Sequence, residues 1–310
     1  MTRRELAGPA HHRWDPTLPP TLTVDSGDEL RFDLTEASDG QFAPGTTVDA
    51  IGTFDWSRLY PMLGPVAVHD AGPGDVLEIE VLELESGSWG WSAVLPEFGL
   101  LAEDFPEPHL HHWTLTGGPF TSFLDVARVP VRPFCGVMGV CPAVVEPRDV
   151  MPPGHFGGNL DCRDLVAGAR LYLPVQLPGA LFSTSDPHAA QGDGEVCVSA
   201  IEAPLRGAFR VRLHHGRTIR APQLETPGPL RRGIDDEGYF ATMGVGPDLK
   251  AAARDAVRAL IEHVGRLLRI EPVEAYVLAS VAADLKITEV VDAPNWVVSA
   301  YLPRSILRAG

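Results

Sequence analysis

The chain has 310 residues, of which 45% are hydrophobic and 21% are charged, and its formal net charge is -16 at pH 7. This composition is that of a globular protein, and it excludes a fibrous or disordered chain. The negative charge argues against nucleic acid and anionic membranes as partners, and no apolar run reaches the ~20 residues of a membrane span. Four cysteines in so long a chain are expected to be free thiols, which favours a cytoplasmic location.

Short apolar runs punctuated by turn residues dominate the chain. The 31 Gly and 29 Pro residues are spread among these runs, as in proteins with many strands and tight turns. Apolar and polar residues alternate at 30–34, 76–84 and 209–213, the period of a half-buried strand. The pattern therefore predicts a mainly β fold with β-sandwich or barrel-like sub-domains.

Helices are predicted only late in the chain. Asp248 can cap a helix that continues to residue 268, and a shorter helix fits residues 271–280, with Pro272 in its first turn. The Pro- and Gly-rich stretch 142–158 is the plausible boundary. We therefore predict a mainly β part at 1–150 and an α+β part at 151–310 that carries the site loops, with one interleaved domain as the alternative.

The densest polar segment, residues 183–195, lies between an apolar run and a predicted strand at 196–201. We interpret it as a single loop whose candidate site residues are Asp186, His188, Gln191, Asp193 and Glu195. Carboxylates with an imidazole can activate water and can bind a divalent cation. The same residue types also fit a solvated hairpin turn that contains a hydrogen-bonded structural histidine.

A second candidate loop is Gly157-Gly158-Asn159-Leu160-Asp161. Paired glycines allow backbone conformations that would turn Asp161 into a cleft. The alternative is an ordinary turn in which Asp161 caps a helix.

A rival metal-binding pattern is His109-Leu110-His111-His112, which places His109 and His111 on one face of a strand, as in cupin-type jelly rolls. It predicts a non-catalytic protein that binds a small ligand or a metal. An exposed polar strand explains the pattern better, because no glutamate follows at the spacing of such metal sites. His69, at the end of an apolar run, is a weaker candidate for the site. A G-x-S-x-G motif and a G-x-G-x-x-G motif are both absent from the sequence, which disfavours a serine nucleophile and a dinucleotide site.

At these loops the sequence resembles the acetamidase/formamidase family. The matching segments are Gly157-Gly-Asn-Leu-Asp161, Leu171-Tyr-Leu-Pro-Val175, Gly179-Ala-Leu-Phe182 and His188-Ala-Ala-Gln-Gly-Asp-Gly-Glu195. Further matches at 19–25, 104–108, 274–280 and 291–296 extend the likeness over nearly the whole chain. The chain departs from the family pattern at His69-Asp70 and at residues 109–112, which bears on substrate choice.

The resemblance implies a homo-oligomeric amidase that hydrolyses short linear amides, of the formamide or acetamide type, to a carboxylate and ammonia. By position it implies Asp161, His188, Gln191, Asp193 and Glu195 as the polar lining of the site. We predict Asp161, His188, Glu195 and Asp193 as catalytic residues, with Asn159 or Gln191 orienting the substrate. A divalent cation, zinc or calcium, is expected on Asp161, His188 and Glu195. A family member without activity is a further alternative.

Overall fold

The computed structural model describes residues 2–228 and 234–307, which are called the described residues below. Their strands are β1 Arg3–Leu6, β2 Arg13–Trp14, β3 Leu22–Val24, β4 Glu29–Leu34, β5 Leu63–Val68, β6 Val76–Ser86, β7 Trp89–Val94, β8 His109–Thr114, β9 Phe120–Phe123, β10 Ala127–Pro130, β11 Phe134–Val140, β12 Arg148–Asp149, β13 Gly157–Asn159, β14 Arg170–Pro174, β15 Phe182–His188, β16 Leu205–His214, β17 Gln223–Glu225, β18 Tyr239–Gly246, β19 Asp284–Glu289 and β20 Trp296–Pro303. Their α-helices are α1 Leu249–Leu268 and α2 Pro272–Ala282. Neither helix is both long and apolar enough to cross a bilayer.

Two sheets form the larger part of the fold. One has six strands in the order β1-β4-β16-β6-β14-β17, and the other has five in the order β13-β11-β15-β5-β3. Apolar side chains from both sheets share one core, including Ile79, Val137, Phe182 and Phe209. The predicted mainly β fold is confirmed, since the strands at 30–34, 76–84 and 209–213 lie within β4, β6 and β16.

A second core surrounds the helices near the C-terminus. Asp248 accepts a hydrogen bond from the backbone N–H of Ala251, which confirms the predicted cap of α1. Helix α2 begins at Pro272 and is buried from Ala275 to Ala282, so it packs on all sides. Strands β18, β20 and β19 form a three-stranded sheet beside α1.

The polar segment 183–195 is not a single loop, contrary to our prediction. Its first half belongs to β15, which is buried throughout and pairs with β11 and β5. The predicted strand at 196–201 is also wrong. Glu195 and Val198 have φ values of +43° and +77°, and Val198 N–H donates to the Glu195 carbonyl, so the chain turns there instead of extending. The apolar side chains of this segment fit its burial in the core, where Val196, Cys197, Ala200 and Ile201 are buried without forming a strand.

Both large sheets draw strands from either side of residue 150. Strand β16 pairs with β4 and β6, and β15 pairs with β11 and β5. The four cysteines are free thiols, as expected. The boundary between residues 150 and 151 stays a prediction, and these pairings are what the interleaved alternative would produce.

Candidate active site

Strand β15 carries two of the candidate site residues, Asp186 and His188, on one face. Asp186 and His188 are two positions apart, which is the strand period, and both are buried. Phe134 of β11 pairs with His188, so Gly136 lies opposite Asp186. A Cβ atom at Gly136 would lie 2.5 Å from Asp186 Oδ2 and 2.6 Å from Asp161 Oδ1. The glycine therefore leaves the space in which these two carboxylates meet.

Three of the acidic residues have left-handed backbone conformations. The φ values of Asp161, Asp186 and Glu195 are +44°, +57° and +43°. Asp adopts this region more readily than Glu, because its short side chain can form hydrogen bonds with the neighbouring backbone. Such conformations persist only where the surrounding structure enforces them, and they cluster at functional sites. These three residues and Glu202 surround His188 and are called the acidic cluster below. The strained backbone conformations thus lie within this cluster.

His188 is held in one orientation by Gln191. The Gln191 side-chain amide donates to the backbone carbonyl of Asp161 at 2.8 Å, so its Oε1 faces His188 Nδ1 at 2.9 Å as the acceptor. This network assigns the proton to Nδ1 and directs Nε2 at the carboxylates. His188 Nε2 lies 3.2 Å from Glu202 Oε2, 3.3 Å from Asp186 Oδ1 and 3.9 Å from Glu195 Oε1.

Glu202 reaches the cluster through backbone pairing. It forms isolated bridges with Trp91 of β7 and with His188, and its Oε1 accepts from the backbone N–H of Ala200 at 2.9 Å. Its side chain is buried. One carboxylate oxygen is thereby fixed to the backbone, and the other is directed at His188.

Burial shifts the proton affinities of the cluster upward. Burial, followed by the negative charge of Asp186, raises the pKa of Asp161 to about 7. Burial also raises the pKa of Glu202 to about 7, and together with the charge of Asp161 it raises the pKa of Glu195 well above its usual value. These carboxyl groups therefore hold protons near neutral pH unless a cation compensates their charge.

The histidine responds to the same surroundings in the opposite sense. Burial, the largest influence, lowers the pKa of His188, but the carboxylates of Glu202 and Asp186 outweigh it and raise that pKa well above the usual value. The pKa of the Tyr60 phenol is also raised, first by burial and then by the charges of Asp186 and Asp161. Tyr60 therefore faces the cluster as a neutral hydroxyl.

The cluster has the properties of a site for a divalent cation. Within the described part of the chain, Asp161 Oδ1, Asp186 Oδ1, His188 Nε2 and Glu202 Oε2 are buried and make no contact with hydrogen-bond geometry, although His188 Nε2 lies within ion-pair distance of two of these oxygens. Ligand atoms of Asp161, Asp186 and His188 lie within 4.8 Å of one another, as do those of His188, Glu195 and Glu202. Buried polar atoms are normally satisfied, so oxygen and imidazole donors left open in this way fit a metal ion.

A cavity leads to this cluster from the surface. Asp186, Glu195 and Glu202 line its inner end, together with Tyr60 and Ser199. The remaining walls are formed mainly by aromatic and aliphatic side chains. A small molecule that enters this cavity would meet the carboxylates at its end.

The structure brings three of the residues predicted as catalytic together: Asp161, His188 and Glu195. Asp193 lies elsewhere, because its side chain is 40% exposed and its Oδ1 is 3.9 Å from Arg163 Nε. Gln191 touches His188 and therefore orients the imidazole. Asn159 pairs with Val137, and paired residues of neighbouring strands share one face of a sheet. The side chain of Val137 packs in the core, on the opposite face from that of its neighbour Gly136, which contacts the carboxylates. Asn159 therefore lies on the face opposite these carboxylates.

The rival histidines form a separate group. His109 Nε2 lies 3.1 Å from Glu274 Oε1, and His111 Nδ1 lies 3.6 Å from Glu274 Oε2, so the pair joins β8 to α2. Burial lowers the pKa of His111 to about 4. His69 is exposed and lies 3.9 Å from the Asp25 carboxylate.

Glu202, Gly136 and Tyr60 are not among the site residues predicted from the sequence, and Asp186 is predicted only as part of the loop. Glu202 follows an apolar run and has no motif around it. Asp186 was discoverable, because it precedes His188 by the two residues of a strand period. The other residues become neighbours only through pairing between distant strands.

The chain is similar to known amidases. A formamidase from Methylophilus methylotrophus is 24% identical over 372 residues, covering 97% of this chain and 90% of that protein. An acetamidase from Mycolicibacterium smegmatis is 25% identical over 254 residues, covering 62% of this chain and 63% of that protein.

Solved structures share the fold. A gamma lactamase from Delftia acidovorans superposes with a TM-score of 0.87 at 24% identity, covering 96% of this chain and 89% of that one. An acetamidase from Bacillus halodurans gives a TM-score of 0.69 at 28% identity, covering 97% and 96%.

The family model and the relatives together identify the chain as an amidase, an enzyme that hydrolyses the C–N bond of linear amides. The Acetamidase/Formamidase family model matches residues 2–148 and 144–309, and the chain belongs to that family.

Proposed function

We propose that the chain hydrolyses short linear amides of the formamide and acetamide type to a carboxylate and ammonia, with the assistance of a divalent cation. The observation that carries this proposal is the convergence of four carboxylates on one oriented imidazole at the end of a cavity. In the reaction, water oxygen bonds to the carbonyl carbon and the C–N bond breaks. The departing nitrogen takes up a proton and leaves as ammonia.

Asp161, Asp186 and His188 are the residues that would hold the cation, with Glu195 and Glu202 facing the same His188 Nε2. A divalent cation in such a site lowers the pKa of water to roughly 7 and so supplies hydroxide at neutral pH. An imidazole ligand favours zinc over calcium, because calcium takes oxygen ligands.

Glu195 is the residue best placed to move protons. Its side chain lines the cavity and is 17% exposed, whereas those of Asp186 and Glu202 are almost fully buried. Its raised pKa allows the carboxyl group to take a proton from water and to return one to the departing nitrogen.

Tyr60 and Gln191 support this chemistry from two directions. The neutral hydroxyl of Tyr60 is a hydrogen-bond donor in the cavity, where charge develops on the amide oxygen. Gln191 holds the His188 ring so that Nε2 stays directed at the cluster. We propose this orienting role for Gln191 in place of contact with the substrate.

Ammonia release from formamide, acetamide and propionamide tests the activity. His188→Ala should lower turnover by about 100-fold or more, because the oriented imidazole is lost. His155→Ala is the matched control, since His155 is exposed. Equal activity of the two variants would contradict the proposed site, and the absence of turnover on every amide would contradict the proposed function.

Elemental analysis and chelation test the cation separately. Purified enzyme should contain about one equivalent of a divalent metal, and exhaustive chelation should abolish ammonia release until metal is restored. Full activity in metal-free enzyme would show instead that Glu195 and its neighbours activate water directly.

A further inference from the structure

The space beside the acidic cluster is small. Its volume is about 30 Å³, which is room for on the order of two water molecules. A linear amide has to place its carbonyl group, its nitrogen and an acyl substituent beside the cluster, and these together need more room. Water therefore fits the site as the structure shows it, whereas an amide enters only after part of the wall has moved.

A larger groove lies on the outer side of one wall. It has a volume of about 380 Å³ and runs between the segments 56–60 and 149–152. Four side chains line both the inner space and this groove, and three of them, Trp56, Leu59 and Tyr60, come from one short segment. Residues 56–60 therefore form much of the wall that separates the acidic cluster from the groove.

The backbone of this segment is bonded mainly to itself. Arg58 N–H donates to the Asp55 carbonyl at 3.1 Å, and Leu59 N–H donates to the Trp56 carbonyl at 3.3 Å. Residues 55–58 are all exposed to solvent. Segments with local backbone hydrogen bonds and high exposure open at a low cost in free energy.

Side-chain contacts hold the segment against the turn that precedes it. Arg58 Nε donates to Asp39 Oδ2 at 3.0 Å, and Arg58 Nη2 donates to the Asp39 backbone carbonyl at 2.7 Å. The Gln41 side-chain amide accepts from Asp55 N–H at 2.7 Å and donates to the Asp55 carbonyl at 3.1 Å. Ion pairs that solvent reaches contribute little stability, so these contacts can break and form again.

The two ends of the segment are fixed to the fold. Phe54 N–H donates to the Ile51 carbonyl at 3.4 Å, and Tyr60 N–H donates to the Ala37 carbonyl at 2.9 Å. Tyr60 has a φ of +59°, a conformation that is sparsely populated for a bulky residue. Hinges are formed by a few residues at the ends of elements, where a change of φ and ψ is absorbed. Tyr60 has this position in the segment.

We propose that residues 54–60 are a lid over the acidic cluster, and that the contact between Asp39 and Arg58 is its latch. The open lid joins the groove to the cluster and admits the amide. The closed lid excludes bulk water and keeps the Tyr60 hydroxyl in the site. The inference rests on the proposed function, because it takes the acidic cluster as the place where the amide reacts.

A thiol in the inner space measures opening without catalysis. Val198 lines that space, and in Val198→Cys the new thiol should react with iodoacetamide, an amide larger than acetamide, only while the lid is open. Adding Arg58→Ala weakens the latch and should raise the alkylation rate at position 198 by about two- to fivefold. Mass spectrometry of the peptides separates this position from Cys162, which is partly exposed.

Arg206→Ala, added to Val198→Cys in the same way, is the matched control. It removes an exposed ion pair between Arg206 and Asp33, which lie on β16 and β4. The alkylation rate at position 198 should not change.

A reversible tether tests whether the lid has to move. In the double variant Asp39→Cys/Arg58→Cys, a bifunctional methanethiosulfonate joins the two thiols and takes the place of the latch. Ammonia release from acetamide should fall by about 100-fold or more on tethering, and it should return when a reductant cleaves the tether. The same reagent should leave the turnover of each single variant unchanged.

The outcomes separate the two proposals. Full turnover in the tethered protein overturns the lid, and so does an alkylation rate that Arg58→Ala leaves unchanged; both results leave amide hydrolysis standing. If no amide releases ammonia from the wild-type protein, the proposed function is wrong. The alkylation rates then still decide whether the segment opens.

Discussion

Gly136 lies where the site has no space for a larger side chain. An added methyl group would meet carboxylate oxygens of both Asp186 and Asp161. We expect Gly136→Ala to lower kcat/KM by about 100-fold or more, since displacements of about 1 Å at an active site have effects of this size. Metal content should fall with it.

The control for this substitution is Gly246→Ala on β18, where an added Cβ meets no described atom within 4 Å. Both variants should remain folded by circular dichroism, with Gly136→Ala destabilised by about 1–3 kcal/mol from crowding. Wild-type activity and metal content in Gly136→Ala would contradict the arrangement of the two carboxylates.

Single residues also show what sequence could and could not reveal about the site. Asp161, His188 and Glu195 were predicted from residue type together with the family resemblance, and they lie together. Whether they carry the chemistry stays a prediction. Glu202 could not be predicted, because its proximity to His188 depends on a bridge between segments that no local pattern specifies.

At the scale of elements, the loop after β15 is fastened to the junction of α2 and β19. Gly192 N–H donates to the Ser280 carbonyl at 2.7 Å, and the Asp193 carbonyl accepts from Leu285 N–H at 2.9 Å. Buried Asp284 accepts a hydrogen bond from Arg163, whose Nη1 also donates to the Gln191 carbonyl at 3.2 Å. The C-terminal elements thus hold the loop that orients His188.

Asp284→Asn should therefore affect the site from a distance. Removing one charge from this buried ion pair should destabilise the fold by about 3–5 kcal/mol and lower kcat, because Gln191 and His188 lose their support. Urea unfolding and ammonia release measure the two effects, with Asp292→Asn, at an exposed position, as the control. Stability lost with full kcat retained would limit Asp284 to a structural role.

The elements that sequence predicted well are those with a strong period or a strong cap. Strands β4 and β6 alternate apolar and polar residues, and α1 begins directly after its N-cap residue Asp248. The segment 196–201 has strand-like residues but turns, because Glu195 and Val198 take left-handed conformations. Such conformations are imposed by packing between segments, which local propensity does not describe.

At the scale of the whole molecule, the acidic cluster links folding stability to pH. The pKa values of Asp161 and Glu202 are about 7 in the folded chain, above the ordinary values of 3.8 and 4.5. Folded chains thus bind more protons than unfolded ones between about pH 4 and pH 7. The stability gained is fully present below pH 4 and is lost as pH rises through 7.

Urea unfolding of chelated, metal-free enzyme at pH 5 and pH 8 measures this dependence. The free energy of unfolding should be lower at pH 8, and the drop should be smaller in Asp161→Asn, which keeps the shape of the side chain without its titration. An identical drop in both proteins would contradict the shifted pKa of Asp161.

The homo-oligomeric state and the cytoplasmic location of the protein stay predictions.

The left-handed backbone at Glu195 also bears on attempts to stabilise this enzyme. A glycine adopts a φ of +43° without the steric cost that a glutamate pays, and it would remove a carboxyl group from the acidic cluster. Glu195→Gly should then raise the free energy of unfolding by about 1 kcal/mol or more while it abolishes ammonia release. A screen for thermal stability alone would therefore favour this inactive substitution. Stabilised variants have to be assayed for turnover as well as for melting temperature.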